Sequence, residues 1–321
     1  MSFEVQSQPW SDSRALVLVH GVGDYKKGDY NKLLLSLENA IGPAMWKKFA
    51  VYTVFYDLLN DWAAEKTQAA NLLAALVDRL KLHFETSKLG EVAAESAGDV
   101  LWPVLELDAR SAIRDAIIAQ LQQVVLDGDR AGVARRDQKI SIVGHSLGCF
   151  HTYEAISAAA NDPQYRLQPV ADAVQFDSVV LMASPVQIIR SAAGWIGRLI
   201  PDPDGLSCLR NTRLDLPGMT NVAGRFVPSA RRFVSLTGTL DPVGGYLLRD
   251  RLDWAYMNII GQESVVDPQD LLTIPDAKTL IASLAAAKGS AKGLPFTVNN
   301  PHDWVGYVER NAKGVKEWLV S

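Results

Sequence analysis

The chain has only two cysteines in 321 residues, Cys149 and Cys208. Two thiols this far apart exclude a disulfide framework and a cysteine-rich zinc site. The sequence also lacks any run of roughly 18 apolar residues, so no membrane-spanning helix is expected. A basic surplus is missing as well. Net charge is −4, and the largest basic clusters are pairs such as Lys26-Lys27, Lys47-Lys48 and Arg231-Arg232. A nucleic-acid partner is therefore not expected, because phosphate binding needs clustered Lys and Arg. The opening MSFEVQSQPW has neither a basic nor an apolar signal region. No secretory signal is expected and the cytoplasm is the default compartment. Histidine is scarce too, at five residues, so a catalytic base can be sought by elimination.

What is present is an ordinary globular composition, 48% hydrophobic and 21% charged. A chain of this length buries enough apolar surface to fold without metal or cofactor, and none is expected. Short apolar runs alternate with helical patterns, which predicts an α/β fold with a mostly parallel central sheet flanked by helices. The predicted strands are Ala15 to His20, Phe49 to Tyr56, Lys139 to Gly144, Asp177 to Ala183 and Arg232 to Thr237, with Phe296 to Asn299 as a candidate sixth. Ile113, Ile117, Leu121, Val124 and Val125 recur at helical spacing, as do Ala69, Leu72, Leu73, Leu76, Val77 and Leu80. Residues 1–321 read as one domain carrying two long insertions. The one over residues 60–138 is expected to be helical, and the one over 185–230 looks irregular and suits a lid.

Gly144-His145-Ser146-Leu147-Gly148 follows the apolar run KISIV and precedes a helical pattern. Strand, sharp turn and helix are the context that turns G-x-S-x-G into a nucleophile elbow, with Ser146 as nucleophile. The turn pushes the serine above the sheet and sets it at a helix N-terminus, where partial positive charge favours a developing oxyanion. Cys149, three residues on, reads as a small core residue rather than a second nucleophile.

On these residues the chain resembles the α/β-hydrolase superfamily, and is similar to lipase and esterase members carrying GHSLG. The resemblance implies an α/β-hydrolase fold and an oxyanion hole built from two backbone N–H groups. One would come from Leu147, the other from Gly21 or Val22 in His20-Gly21-Val22-Gly23-Asp24. It also implies the order serine, acid, histidine along the chain. His302 fits, since His20 and His145 lie in the two motifs, His83 on a helical pattern and His151 behind the elbow. Asp241, just after the fifth strand, is the matching acid. Asp303 competes but is adjacent to the base, and Asp253 and Asp267 are weaker candidates. HGVGD, GHSLG, LDPVGGYL, HDWVGY and GDVLW together look like a group of bacterial serine hydrolases distantly similar to DDHD-type phospholipases, although no DDHD run is present.

Ile188, Ile189, Ala192, Trp195, Ile196, Leu199 and Ile200 share one helical face in the second insertion. Trp195, Ile196 and Leu199 are candidate substrate-binding residues, suited to a hydrophobic acyl chain. The same stripe could instead pack on the domain or make transient contact with a membrane surface. The expected activity is carboxylic-ester hydrolysis of an ester or lipid-like small molecule. Amide hydrolysis or acyl transfer would use the same residues, and a binding or scaffold protein that has lost turnover is the rival class. The sequence carries no signal for oligomeric state.

Overall fold

The computed structural model describes residues 10–21, 30–56, 107–161, 176–185, 219–222, 225–228, 230–238, 261–266, 272–273, 297–298 and 303–320. Its centre is a six-stranded parallel sheet. The strands are β1 (Arg14–Val19), β2 (Phe49–Val54), β3 (Lys139–His145), β4 (Phe176–Met182), β7 (Ala230–Gly238) and β8 (Gly261–Val266), in the order β2-β1-β3-β4-β7-β8. Two short antiparallel ribbons account for the remaining strands: β5 (Met219–Val222) with β6 (Arg225–Pro228), and β9 (Leu272–Thr273) with β10 (Thr297–Val298).

Alternation along the strands divides the core in two. Ala15, Val17 and Val19 of β1 face α3 (Leu107–Arg130) and α4 (Leu147–Asn161). Leu16 and Leu18 face α1 (Tyr30–Ile41), α5 (Trp304–Arg310) and α6 (Ala312–Val320). A short helix, α2 (Pro43–Trp46), leads into β2. Both faces are covered, which is why these strands read as largely apolar runs whose few polar residues, such as Thr53, Ser141 and Ser178, are buried. The helical stripe Ile113, Ile117, Leu121, Val124 and Val125 is buried on α3 as its spacing requires. The last turn of α6 is tied to the sheet through its carbonyls. Arg232 donates to Trp318 O at 2.7 Å and Ser178 Oγ donates to the same oxygen, satisfying groups that a helix end leaves unpaired.

Two expectations about strands need correction. The sixth strand of the main sheet is GQESVV, Gly261–Val266, not the segment around Phe296. Thr297–Val298 pairs antiparallel with Leu272–Thr273 outside that sheet. Within 185–230, a stretch that looks irregular in sequence, β5 and β6 form an antiparallel pair, with Met219 opposite Pro228. Of the insertion 60–138, the described part holds α3 and a 3-10 turn at Arg135–Asp137. The stripe from Ala69 to Leu80 lies outside the described residues. Among the described residues, no helix is long and apolar enough to cross a membrane.

Candidate active site

Parallel strands end together, and the loops that follow them meet at the carboxyl edge of the sheet. Register places Val19 opposite Gly144, and His145 opposite Met182. The HG loop after β1, the elbow after β3 and the turn after β4 are therefore neighbours. Ser146 sits between β3 and α4 with φ of 50°, in the left-handed region that residues with a side chain rarely occupy. Its amide donates to Met182 O at 3.0 Å, and its carbonyl accepts from Cys149 N at 2.9 Å. The turn is thus held on the sheet side by β4 and on the helix side by the first turn of α4. Ala183, directly after β4, also has positive φ, 55°, and donates to Leu236 O at 2.9 Å. Nothing in its sequence context announces this second strained residue.

Two glycines are required by close approach. A Cβ on Gly148 would lie 2.0 Å from His20 O and 2.6 Å from Val19 O, so only glycine lets α4 start against the end of β1. A Cβ on Gly21 would lie 2.6 Å from Ser146 Cβ and 3.2 Å from its Oγ. The HG loop thus reaches the serine with bare backbone. Gly144 is less constrained, since a Cβ there would meet Cys149 Cα and Thr152 Oγ1 at 3.3 Å. Cys149 itself is buried in the core with its Sγ donating to Met182 O at 3.2 Å.

Aromatic rings pack around the elbow. Tyr56 stacks on His20 with centroids 4.4 Å apart and planes within 4°. Its hydroxyl donates to His20 O at 2.6 Å and approaches Gly21 O at 3.2 Å. On the opposite face of the sheet His145 stacks on Trp304 at 5.2 Å, and Tyr307 meets it edge-on. Neither Tyr56 nor Trp304 stands out in the sequence as a site residue. Tyr56 could have been found by register: residue 14 pairs with 49, so 56 extends to the level of Gly21.

The three described histidines are all buried, which bears on the choice of base. Burial pushes His20 down to about 4, partly offset by its hydrogen bond to Gly21 O. Its Nδ1 therefore carries the proton donated to that carbonyl at 2.7 Å. His151 is pushed down to about 3, by burial first and then by the positive charge of Arg110 and of His20. Such poorly basic rings are ill matched to proton transfer near neutrality.

No family model matches the chain, and no curated protein matches it. Among solved structures, the RedJ thioesterase from the prodiginine biosynthetic pathway of Streptomyces coelicolor is similar over 81% of this chain and 83% of that one, at 12% identity and a TM-score of 0.30. At that score the likeness assigns no activity. The fold class stands on the molecule's own topology: a parallel sheet, helices on both faces and a strained serine at a strand-to-helix turn.

Of the residues expected at the site, Ser146, Leu147 and Gly21 come together here. Leu147 opens α4, where backbone N–H groups have no partner within the helix. Val22, Asp241, His302, Trp195, Ile196 and Leu199 lie outside the described residues, as do His83, Asp253 and Asp267. Asp303 is placed: it caps α5, its Oδ2 accepting from Gly306 N at 2.9 Å. That role explains an aspartate just before WVGY without any part in proton transfer. Among the described residues, no group of three or more His, Cys, Asp or Glu could hold a metal ion.

Proposed function

We propose that the chain is a serine hydrolase that cleaves a carboxylic ester through an acyl-enzyme on Ser146. The observation that carries this is the backbone of Ser146, strained at φ 50° at the carboxyl edge of the sheet with Gly21 against it. Strain of this kind persists where function requires it, and a fold kept only for binding would gain by relaxing it.

In the proposed reaction Ser146 Oγ attacks the ester carbonyl carbon as His302 takes the serine proton. The oxyanion is held by the amides of Leu147 and of Gly21 or Val22. Collapse breaks the ester C–O bond, and the leaving alkoxide takes the proton from His302. Water then repeats the sequence on the acyl-enzyme, with Asp241 orienting His302 throughout. Two features of the chain support the partners. Trp304, which packs on His145, comes two residues after His302 in the sequence. β7, which ends at Gly238, runs beside β4, so Asp241 follows a strand that ends at the same edge. Trp195, Ile196 and Leu199 would line the acyl pocket.

Turnover of p-nitrophenyl esters from C2 to C8 tests the reading. The parent should hydrolyse them, and Ser146→Ala should lose roughly 10³-fold or more in kcat without unfolding. Activity of Ser146→Ala within threefold of the parent refutes it. An unchanged C8-to-C2 ratio in Trp195→Ala would remove the acyl-pocket role alone.

A further inference from the structure

We infer that Tyr56 is a positioning residue for the oxyanion hole, a reading that rests on the serine-hydrolase proposal. A trans peptide unit points its C=O and N–H in opposite directions, and no cis bond occurs among the described residues. The unit joining His20 to Gly21 has its oxygen drawn to the Tyr56 hydroxyl at 2.6 Å. The same oxygen lies over the first turn of α4, where it would meet a Cβ on Gly148. The N–H of Gly21 is therefore aimed away from Tyr56. Gly21 itself packs against Ser146, so the peptide unit that Tyr56 holds borders the nucleophile.

The next carbonyl is held on the same side. Gly21 O accepts from His20 Nδ1 at 2.7 Å, with the Tyr56 hydroxyl 3.2 Å away. His20 can make that bond only from a ring held in place, and Tyr56 stacks flat on it. His151 backs Tyr56 edge-on with centroids 5.1 Å apart. One phenol thus fixes a carbonyl directly and a second through the imidazole it stacks on. Hydrogen-bond donors aimed before the reaction begins are what make an oxyanion hole effective. Tyr56 never touches the substrate in this account.

Tyr56→Phe keeps the ring and removes only the hydroxyl. Tyr52→Phe is the control, because Tyr52 also loses a buried hydroxyl, one that accepts from Trp10 and donates to Asp127 on the α3 side of the sheet. Steady-state hydrolysis of p-nitrophenyl butyrate is measured for the parent, both variants and Ser146→Ala, together with thermal midpoints. Outright loss of one oxyanion donor costs about 10²–10³ in kcat, so a mis-aimed donor should cost about tenfold. The expected result is a tenfold fall in kcat for Tyr56→Phe with KM within twofold, near-parent kinetics for Tyr52→Phe, and midpoints within about 3 °C of each other. If either midpoint falls further, rates are compared well below both transitions. A Tyr56→Phe kcat within twofold of an active parent overturns the positioning role and leaves the hydrolase reading standing. Equal losses in both variants, or a change confined to KM, overturn it likewise. A parent without turnover overturns the hydrolase reading, and the positioning role with it.

Discussion

The strain at Ser146 has a stability consequence separable from chemistry. A residue with a Cβ held at φ 50° costs on the order of 1 kcal/mol relative to glycine, which adopts that region freely. Both Ser146→Ala and Ser146→Gly remove the nucleophile, but only the second relieves the backbone. Ser146→Gly should therefore be more stable than Ser146→Ala by about 1 kcal/mol in urea unfolding. Equal stabilities would mean the turn is relaxed in solution. Asp303 offers a second single-residue test. As the cap of α5, Asp303→Ala should cost about 1 kcal/mol, while Asp303→Asn retains an acceptor and should cost little. Esterase turnover should stay within a few-fold of the parent in Asp303→Asn; a loss of orders of magnitude would move the acid from Asp241 to Asp303.

The helices α3 and α4, which cover one face of the sheet, are joined by a buried contact between Arg110 and Glu154. Arg110 Nε lies 3.1 Å from Glu154 Oε1, with both side chains almost wholly enclosed. Burial raises Glu154 to about 7, against the opposing pull of Arg110 and Arg114. The folded state then keeps a proton on Glu154 that the unfolded chain releases above about 4.5. This group alone makes stability fall as pH rises from 4.5 through 7. His20 and His151 act in the opposite sense. Their folded values lie below the ordinary 6.5, so the unfolded state takes up their protons first and stability falls as pH drops from 6.5 towards 4. Glu154→Gln removes the first effect and leaves the second. Between about pH 5 and 6.5 the variant's unfolding free energy should depend on pH more steeply than the parent's, by about 1.4 kcal/mol per pH unit. Urea titrations across that range check it, and parallel slopes would contradict the proton held on Glu154.

Most of the architecture is legible in the sequence because the central strands are buried on both faces. ALVLV has no polar residue, and FAVYTV and KISIV interrupt their apolar runs only with the small buried hydroxyls of Thr53 and Ser141, so their positions follow from near-continuous apolar runs. GQESVV escapes that reading because, among the described residues, it pairs with β7 and has no further neighbour in the strand order, and such an edge position can carry Gln, Glu and Ser. The apolar start of PFTVNN suggests a strand, yet only Thr297–Val298 is one, and it pairs elsewhere. At the candidate site, the meeting of Ser146, Leu147 and Gly21 is legible because a strand-to-helix turn admits few residues. Tyr56 and Trp304 are not, since a ring that supports a loop is chosen by spatial neighbours and leaves no local pattern. The central claim, an activated nucleophile at Ser146, is tested most directly by covalent labelling with a fluorophosphonate, followed by peptide mapping. The account predicts one adduct, on Ser146 of the folded parent, and none on Ser146→Ala. A folded parent that stays unlabelled, or an adduct on another residue that survives in Ser146→Ala, would contradict it.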